Sequence, residues 1–394
     1  MSRLPIALWA VIVLAGLDVV AVACEVLVLL PRPAGAPALA HPASTTSPGS
    51  AASSSLPRMP GVLQGKYQAW AIAFPGRDTG IVAFTGYAGA SMTVRSWLER
   101  TADGGRVWVA DRPAGGQDQP GAQGGLAFAS ARQGWAYGPD LFYTRDGGAT
   151  WRAERTPFPL TGPVAVAGTS TWVVGYACPS GDCPAIIYTA DRVGGALRRL
   201  PDQPEATGSV VAMRRPTPSV AWLLVAGPRG PARLVTTSDS GRSWATRPLP
   251  CPAGEQAWQL SATGPGSLWL VCDGTPQSQF TPGAVYRTVD GARAWTRMAA
   301  EDSLDVYPVS DRVAWAVEGD PADSIVVRTT DGGRTWHTVL SRASTVVEFV
   351  EAFAPLGPDG AQAVAWVGTA NGVRFVMYRT RDAGKTWQTT VLGT

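Results

Sequence analysis

The stretch "YRTRDAGKTW" (residues 378–387) decides the fold, because the chain writes its core phrase again and again. Upstream stand "TADGGRVW" (101–108), "TRDGGATW" (144–151), "TSDSGRSW" (237–244), "TVDGARAW" (288–295) and "TTDGGRTW" (329–336). A degenerate copy, "TADRVGGAL" (189–197), fills the gap after 144–151. The aspartates Asp103, Asp146, Asp191, Asp239, Asp290, Asp331 and Asp382 are 43, 45, 48, 51, 41 and 51 residues apart. A period of about 46 residues marks a repeat architecture, in which each unit buries its faces on its neighbours.

Each unit reads alike. An apolar strand comes first, as in "WAIAF" (70–74), "LAFA" (126–129), "VAVA" (164–167), "VVAM" (210–213) and "AWQL" (257–260). A second usually carries Trp: "WAYG" (135–138), "WVVGY" (172–176), "WLLVA" (222–226), "WLVC" (269–272), "WAVE" (315–318) and "WVG" (366–368). A third ends in the Thr before the aspartate, and the Trp after the phrase begins a fourth. Four short strands in about 46 residues make one propeller blade. Seven phrases therefore predict an all-β, seven-bladed propeller over residues 63–394.

The phrase lies between two strands, so it reads as a hairpin turn. Asp accepts hydrogen bonds from backbone N–H groups of such a turn. Gly two positions later permits positive φ, and the Thr hydroxyl helps satisfy the same turn. Trp108, Trp151, Trp244, Trp295, Trp336 and Trp387 return the chain to the apolar interior, where they fill space between blades. Seven equivalent aspartates without partner acids make poor catalysts. They also lack the alternating oxygen ligands of a calcium loop. The reading is structural turns, with no catalytic residue, metal or cofactor assigned.

Composition agrees. Of 394 residues only 16% are charged, while Gly (45), Pro (33) and 16 Trp are abundant. Net charge is +3 and no dense basic run stands out, so nucleic acid is not an expected partner. Residues 1–32 contain "LPIALWAVIVLAGLDVVAVACEVLVLL" (4–30), long enough to span a bilayer although Asp18 and Glu25 interrupt it. A single-pass anchor is the preferred reading. A cleaved signal ending near "ALA" (38–40) and a lipoprotein acylated at Cys24 are the alternatives. Residues 33–62, rich in Ala, Pro, Ser and Thr, read as a flexible linker. The propeller is thus expected outside the cytoplasm, membrane-anchored or secreted, and monomeric. Cys178 and Cys183 in "CPSGDC" suit a local disulfide, leaving Cys251 and Cys272 to pair between neighbouring strands. Zinc is the rival reading, but only His41 and His337 are available as histidines.

The pattern S/T-x-D-x-G-x-T/S-W resembles the Asp box, or BNR repeat, of sialidases, xyloglucan-degrading glycosidases, sortilin-type receptors and the photosystem II assembly factor family. Blade number and layout are most similar to the assembly-factor group. That resemblance implies an exported, non-enzymatic scaffold binding a protein or cell-envelope partner. The glycosidase alternative lacks its motifs: Arg95 is not followed by the Ile-Pro of sialidases, and no Tyr–Glu pair stands out. Candidate acids for hydrolysis are Asp302, Asp305, Glu318, Glu348 and Glu351. Loops 111–125, 177–187, 273–284 and 319–324 are the expected contact surfaces, with 177–187 braced by the Cys178–Cys183 bridge.

Overall fold

The computed structural model describes residues 67–392, apart from 89–92, 112–123, 139, 179–182, 207, 227–230, 274–282, 300–302, 321–322, 342–347 and 370–371. The expected anchor (1–32) and linker (33–62) lie outside the described residues. Among the described residues, no helix is long and apolar enough to cross a membrane. The strands form seven antiparallel blades of four. Blade 1 runs Tyr67–Ala73, Gly80–Ala88, Thr93–Thr101 and Val109–Asp111, ordered from the axis outward as in the sequence. Blade 7 runs Glu348–Pro355, Ala361–Thr369, Gly372–Thr380 and Gln388–Val391 in the same order.

Innermost strands touch around the axis, and Tyr67–Ala73 meets Glu348–Pro355 to close the ring. Both blades at this junction are built from contiguous chain, so no strand is exchanged across it. Closure therefore depends on packing and hydrogen bonds alone. Phe84 meets Phe375 edge-on at 5.1 Å, within a cluster that joins Ala69, Val82 and Trp108 of blade 1 to Val364, Phe375 and Met377 of blade 7.

The core is distributed in the same way at every junction. Among the described residues there are seven apolar clusters, and each draws side chains from two neighbouring blades. This explains the second strands. They sit between two seams, so "AWLLVA" (221–226) is buried almost throughout instead of alternating. The Trp near the start of this strand recurs as Trp135, Trp172, Trp222, Trp269 and Trp315, all buried. In blade 7 the sequence reading chose Trp366 for this place. Register gives a different answer: Gln362 pairs with Arg379 as Trp315 pairs with Arg328. The repeat slips by one Trp because blade 7 has a longer second strand with its own Trp near the far end.

Innermost strands carry β-bulges in most blades: at Trp70, Val211, Trp258, Leu304 and Glu351, one residue is left without a partner in the ladder. The free inner edge is met by side chains from the preceding blade. Val210 N–H donates to the Tyr176 hydroxyl (2.7 Å), Val306 N–H to Gln259 Oε1 (2.7 Å) and Ala69 N–H to Glu351 Oε2 (2.6 Å). The third of these spans the closing junction. Burial pushes the Glu351 carboxyl up to about 8 against the opposing pull of the Ala69 N–H.

A carboxyl raised in this way favours the fold when protonated. Its contribution is fully present below 4.5, its ordinary value, and is lost as pH rises through about 8. Unfolding by urea is expected to show stability falling across that window by an amount on the order of a few kcal/mol. Glu351→Gln keeps a carbonyl acceptor for Ala69 and should flatten the slope. An unchanged slope in the variant would show that Glu351 is not its source.

Candidate functional site

The repeated aspartates are occupied by their own turns. Thr101, Thr144, Thr237, Thr288, Thr329 and Thr380 each donate their hydroxyl to the aspartate two residues on, at 2.7–2.8 Å. The same hydroxyl accepts the N–H of the residue two past the aspartate, for example Gly148 at 2.8 Å and Gly333 at 3.0 Å. The aspartate then accepts the next N–H groups, such as Arg334 (2.9 Å) and Thr335 (3.0 Å) onto Asp331. Hydrogen bonds from Ser243 and Thr386 respectively, then from Thr237 and Thr380, hold the Asp239 and Asp382 carboxyls at about 2.

The turn needs two consecutive residues with positive φ, where the sequence reading asked for one. Both positions are filled by Gly in three copies, but Ser240, Ala292 and Ala383 also adopt it, at 66°, 63° and 63°. Side chains reach the left-handed region at a cost of about 1–2 kcal/mol, which the Thr–Asp network offsets.

The six tryptophans after the phrase sit at the junction with the preceding blade. Trp244, Trp336 and Trp387 contact Trp172, Trp269 and Trp315 of that blade at 5.9, 6.3 and 6.4 Å between centroids. Trp295 lies in the cluster of Trp222, and Trp151 in that of Ile81. Trp108 is buried at the closing junction, and the other five are half-buried. The degenerate copy departs from this scheme. Asp191 is exposed and pairs with Arg198 at 2.5 Å, while Val193 and Leu197 fill the seam against Trp135.

Disulfides join Cys178 to Cys183 and Cys251 to Cys272. The first closes the loop between the second and third strands of blade 3. The second differs from expectation: Cys251 lies not in a strand but in the connector between blades 4 and 5, which it ties to the second strand of blade 5. No group of three metal-ligating side chains comes together among the described residues.

Of the acids that could serve hydrolysis, Asp302 and the Glu348 side chain lie outside the described residues. Glu318 is half-buried on the second strand of blade 6. Asp305, on the innermost strand of blade 6, accepts the Tyr307 hydroxyl at 3.2 Å, and burial raises it to about 6. Much of loops 111–125, 177–187 and 273–284 also lies outside the described residues.

Two concavities lie at the turn end of the propeller. A groove of about 510 Å³ separates blades 4 and 5, and Trp222, Trp244, Arg247, Val289 and Arg293 line it. A second, of about 430 Å³, separates blades 5 and 6 and is lined by Arg287, Val289, Arg297, Met298 and Arg334. The two share Val289 and Asp290. Val289 is 64% exposed, the most exposed of the large hydrophobic side chains among the described residues. Asp290 is the acid in both linings, and its carboxylate is taken up by Thr288, Arg293 N and Ala294 N. Four guanidinium groups, those of Arg247, Arg293, Arg297 and Arg334, thus share a lining whose one carboxylate is committed, while Arg287 faces Asp311 at 3.8 Å. The sequence offered no run of charge to signal this, because the arginines come from separate repeats.

Thr329→Val is expected to lower unfolding stability by about 1–3 kcal/mol, since it orphans the buried Gly333 N–H and loosens Asp331. Thr335→Ala removes only an exposed bond to Asp331 and should cost clearly less. Equal losses in chemical denaturation would contradict the central place given to the first hydroxyl.

No protein-family model matches the chain, and no curated protein sequence matches it. Solved structures do. One titled "YCF48 bound to D1 peptide" is 16% identical with a TM-score of 0.55, covering 81% of this chain and 97% of the other. YCF48 from Cyanidioschyzon merolae is 16% identical with a TM-score of 0.54, covering 82% and 98%. The GH74 xyloglucanase from Xanthomonas campestris is 15% identical with a TM-score of 0.59, covering 82% of this chain but 55% of the enzyme. At such identities the likeness concerns the fold. With its six intact phrases and four-stranded blades, the chain is a seven-bladed β-propeller of the Asp-box type.

Proposed function

We propose that this propeller is a non-catalytic scaffold working outside the cytoplasm, and that it docks an extended acidic segment of a partner protein across blades 4 to 6. The observation that carries this is the pair of adjoining grooves, with Arg247, Arg293, Arg297 and Arg334 around the exposed Val289. An extended chain presents side chains alternately. Acidic residues meet the guanidinium groups, and an apolar residue between them covers Val289. Two supports stand beside it. A propeller of the same fold was solved with a peptide bound, and the two disulfides suit an oxidising compartment.

Rim charges steer encounter and set salt dependence. Fluorescence anisotropy with a peptide alternating Glu and Val should therefore show saturable binding that weakens with salt. The same peptide with Lys for Glu should not bind. Arg297→Glu with Arg334→Glu is expected to weaken binding at least tenfold, equivalent to about 1.4 kcal/mol. Equal binding by the double variant would remove the grooves from the reading.

A glycoside hydrolase is the second reading. Asp305 and Glu351 favour it, two carboxyls raised by burial on neighbouring innermost strands. Release of reducing sugar from a β-glucan, abolished by Asp305→Asn, would support it over the scaffold.

A further inference from the structure

The β-bulges of the innermost strands do not all use their extra residue alike. Trp70 in blade 1 packs into the apolar cluster between blades 1 and 2. Glu351 in blade 7 accepts the Ala69 N–H across the closing junction. Val211 in blade 4 and Trp258 in blade 5 do neither. They enter none of the seven clusters, and they face solvent at 44% and 51% exposure. Trp258 is the one exposed Trp among the described residues.

A scattered exposed valine needs no account. Here the valine and the Trp hold the same place, third from the start, in Ser209–Arg214 and Gln256–Ala262. These two innermost strands touch. Together the side chains make an apolar patch, the sort of surface that another segment covers.

Strand direction locates the patch and names its cover. The box turn follows the third strand of an antiparallel blade, so every innermost strand starts at the opposite end of the axis. Val211 and Trp258 therefore lie at that opposite end. So does Tyr67, where the chain enters blade 1. The segment ahead of Tyr67 lies outside the described residues and reads "LPRMPGVLQGK" (56–66). The preceding "ASTTSPGSAASSS" (43–55) has no large apolar side chain, whereas Leu56, Met59, Val62 and Leu63 follow within eight residues. Sheets pack about 10 Å apart, so a ring of seven puts the innermost strands of blades 1 and 5 roughly 20 Å from each other. An extended chain covers that distance in about six or seven residues. Counted back from Tyr67, this reaches Pro60 and Met59.

We propose that residues 59–63 fold back across this end of the axis and dock on the patch, with Met59 over the Trp258 ring and beside Val211. An unbranched thioether adapts to an aromatic face. Pro57 and Pro60 restrict their own φ and that of the residues before them, which favours an extended approach. The docked segment covers the end of the axis opposite the arginine grooves and leaves those grooves open to a partner.

Trypsin reads the docking directly, because Arg58 stands next to the docked residues and cleavage needs the local chain to open. In the full chain, cleavage after Arg58 is expected to be at least tenfold faster in Trp258→Ala and in Val211→Asp than in the parent. Both positions are exposed, so both variants should keep the parent's unfolding temperature. Val109→Ala, exposed on the outermost strand of blade 1, should leave the rate unchanged. The parent's rate should not vary with protein concentration. Protection that grows with concentration would assign the segment to a second copy and overturn docking within one chain. Equal rates in the parent and both patch variants would overturn it as well, and would leave the patch to a separate partner.

Discussion

Everything in this propeller hangs on the threonine hydroxyl that opens each turn. It donates to the aspartate and accepts the N–H of the second left-handed residue. That double bond lets the chain reverse in a few residues while two of them occupy a region costly to anything but glycine. Three non-glycine residues tolerate the strain, at positions 240, 292 and 383. The network is therefore stronger than the preference it opposes. Once the turn is fixed, the following Trp can lie only against the preceding blade. Each corner thus positions a seam as well as a hairpin.

The seams carry the packing. A flat four-stranded blade has two apolar faces and no core of its own, so its stability is shared with both neighbours. This gives seven clusters instead of one centre. It also makes the junction of the first and last blades the place where the ring lacks a covalent relay. Phe84 against Phe375, Ala69 against Glu351 and Gln362 against Gly104 replace the connector that other junctions possess.

Blade number and the recurrence of one turn were legible in the sequence, because they repeat and a period amplifies a weak local signal. What was not legible is what happens only once. Trp366 passed for the second-strand Trp of blade 7, since spacing alone cannot tell one Trp of a long strand from the register partner of Arg379. Cys251 was placed in a strand only as one of the two cysteines left to pair, whereas Pro250 and Pro252 keep it in a connector. The grooved face was invisible for another reason: Arg247, Arg297 and Arg334 are one per blade and meet only when the blades do.

Repetition sharpens the reading of exceptions. In a single domain, an unpaired buried arginine has no internal reference. Here Arg287 and Arg328 show what the position does when it serves structure alone: it lies over a Trp, crosses the seam and finds a carbonyl. Arg379 crosses its seam to the blade 1 turn, but its Nε and Nη2 find no partner there and its strand partner has changed from an aromatic ring to an amide. Removing a buried aromatic forfeits apolar burial worth a few kcal/mol. Leaving a guanidinium unpaired beside the resulting amide adds a second penalty of the same sign. Both costs fall on one pair of residues at the one junction that has no connector to hold it, so the ring is sealed least favourably where its first and last blades meet.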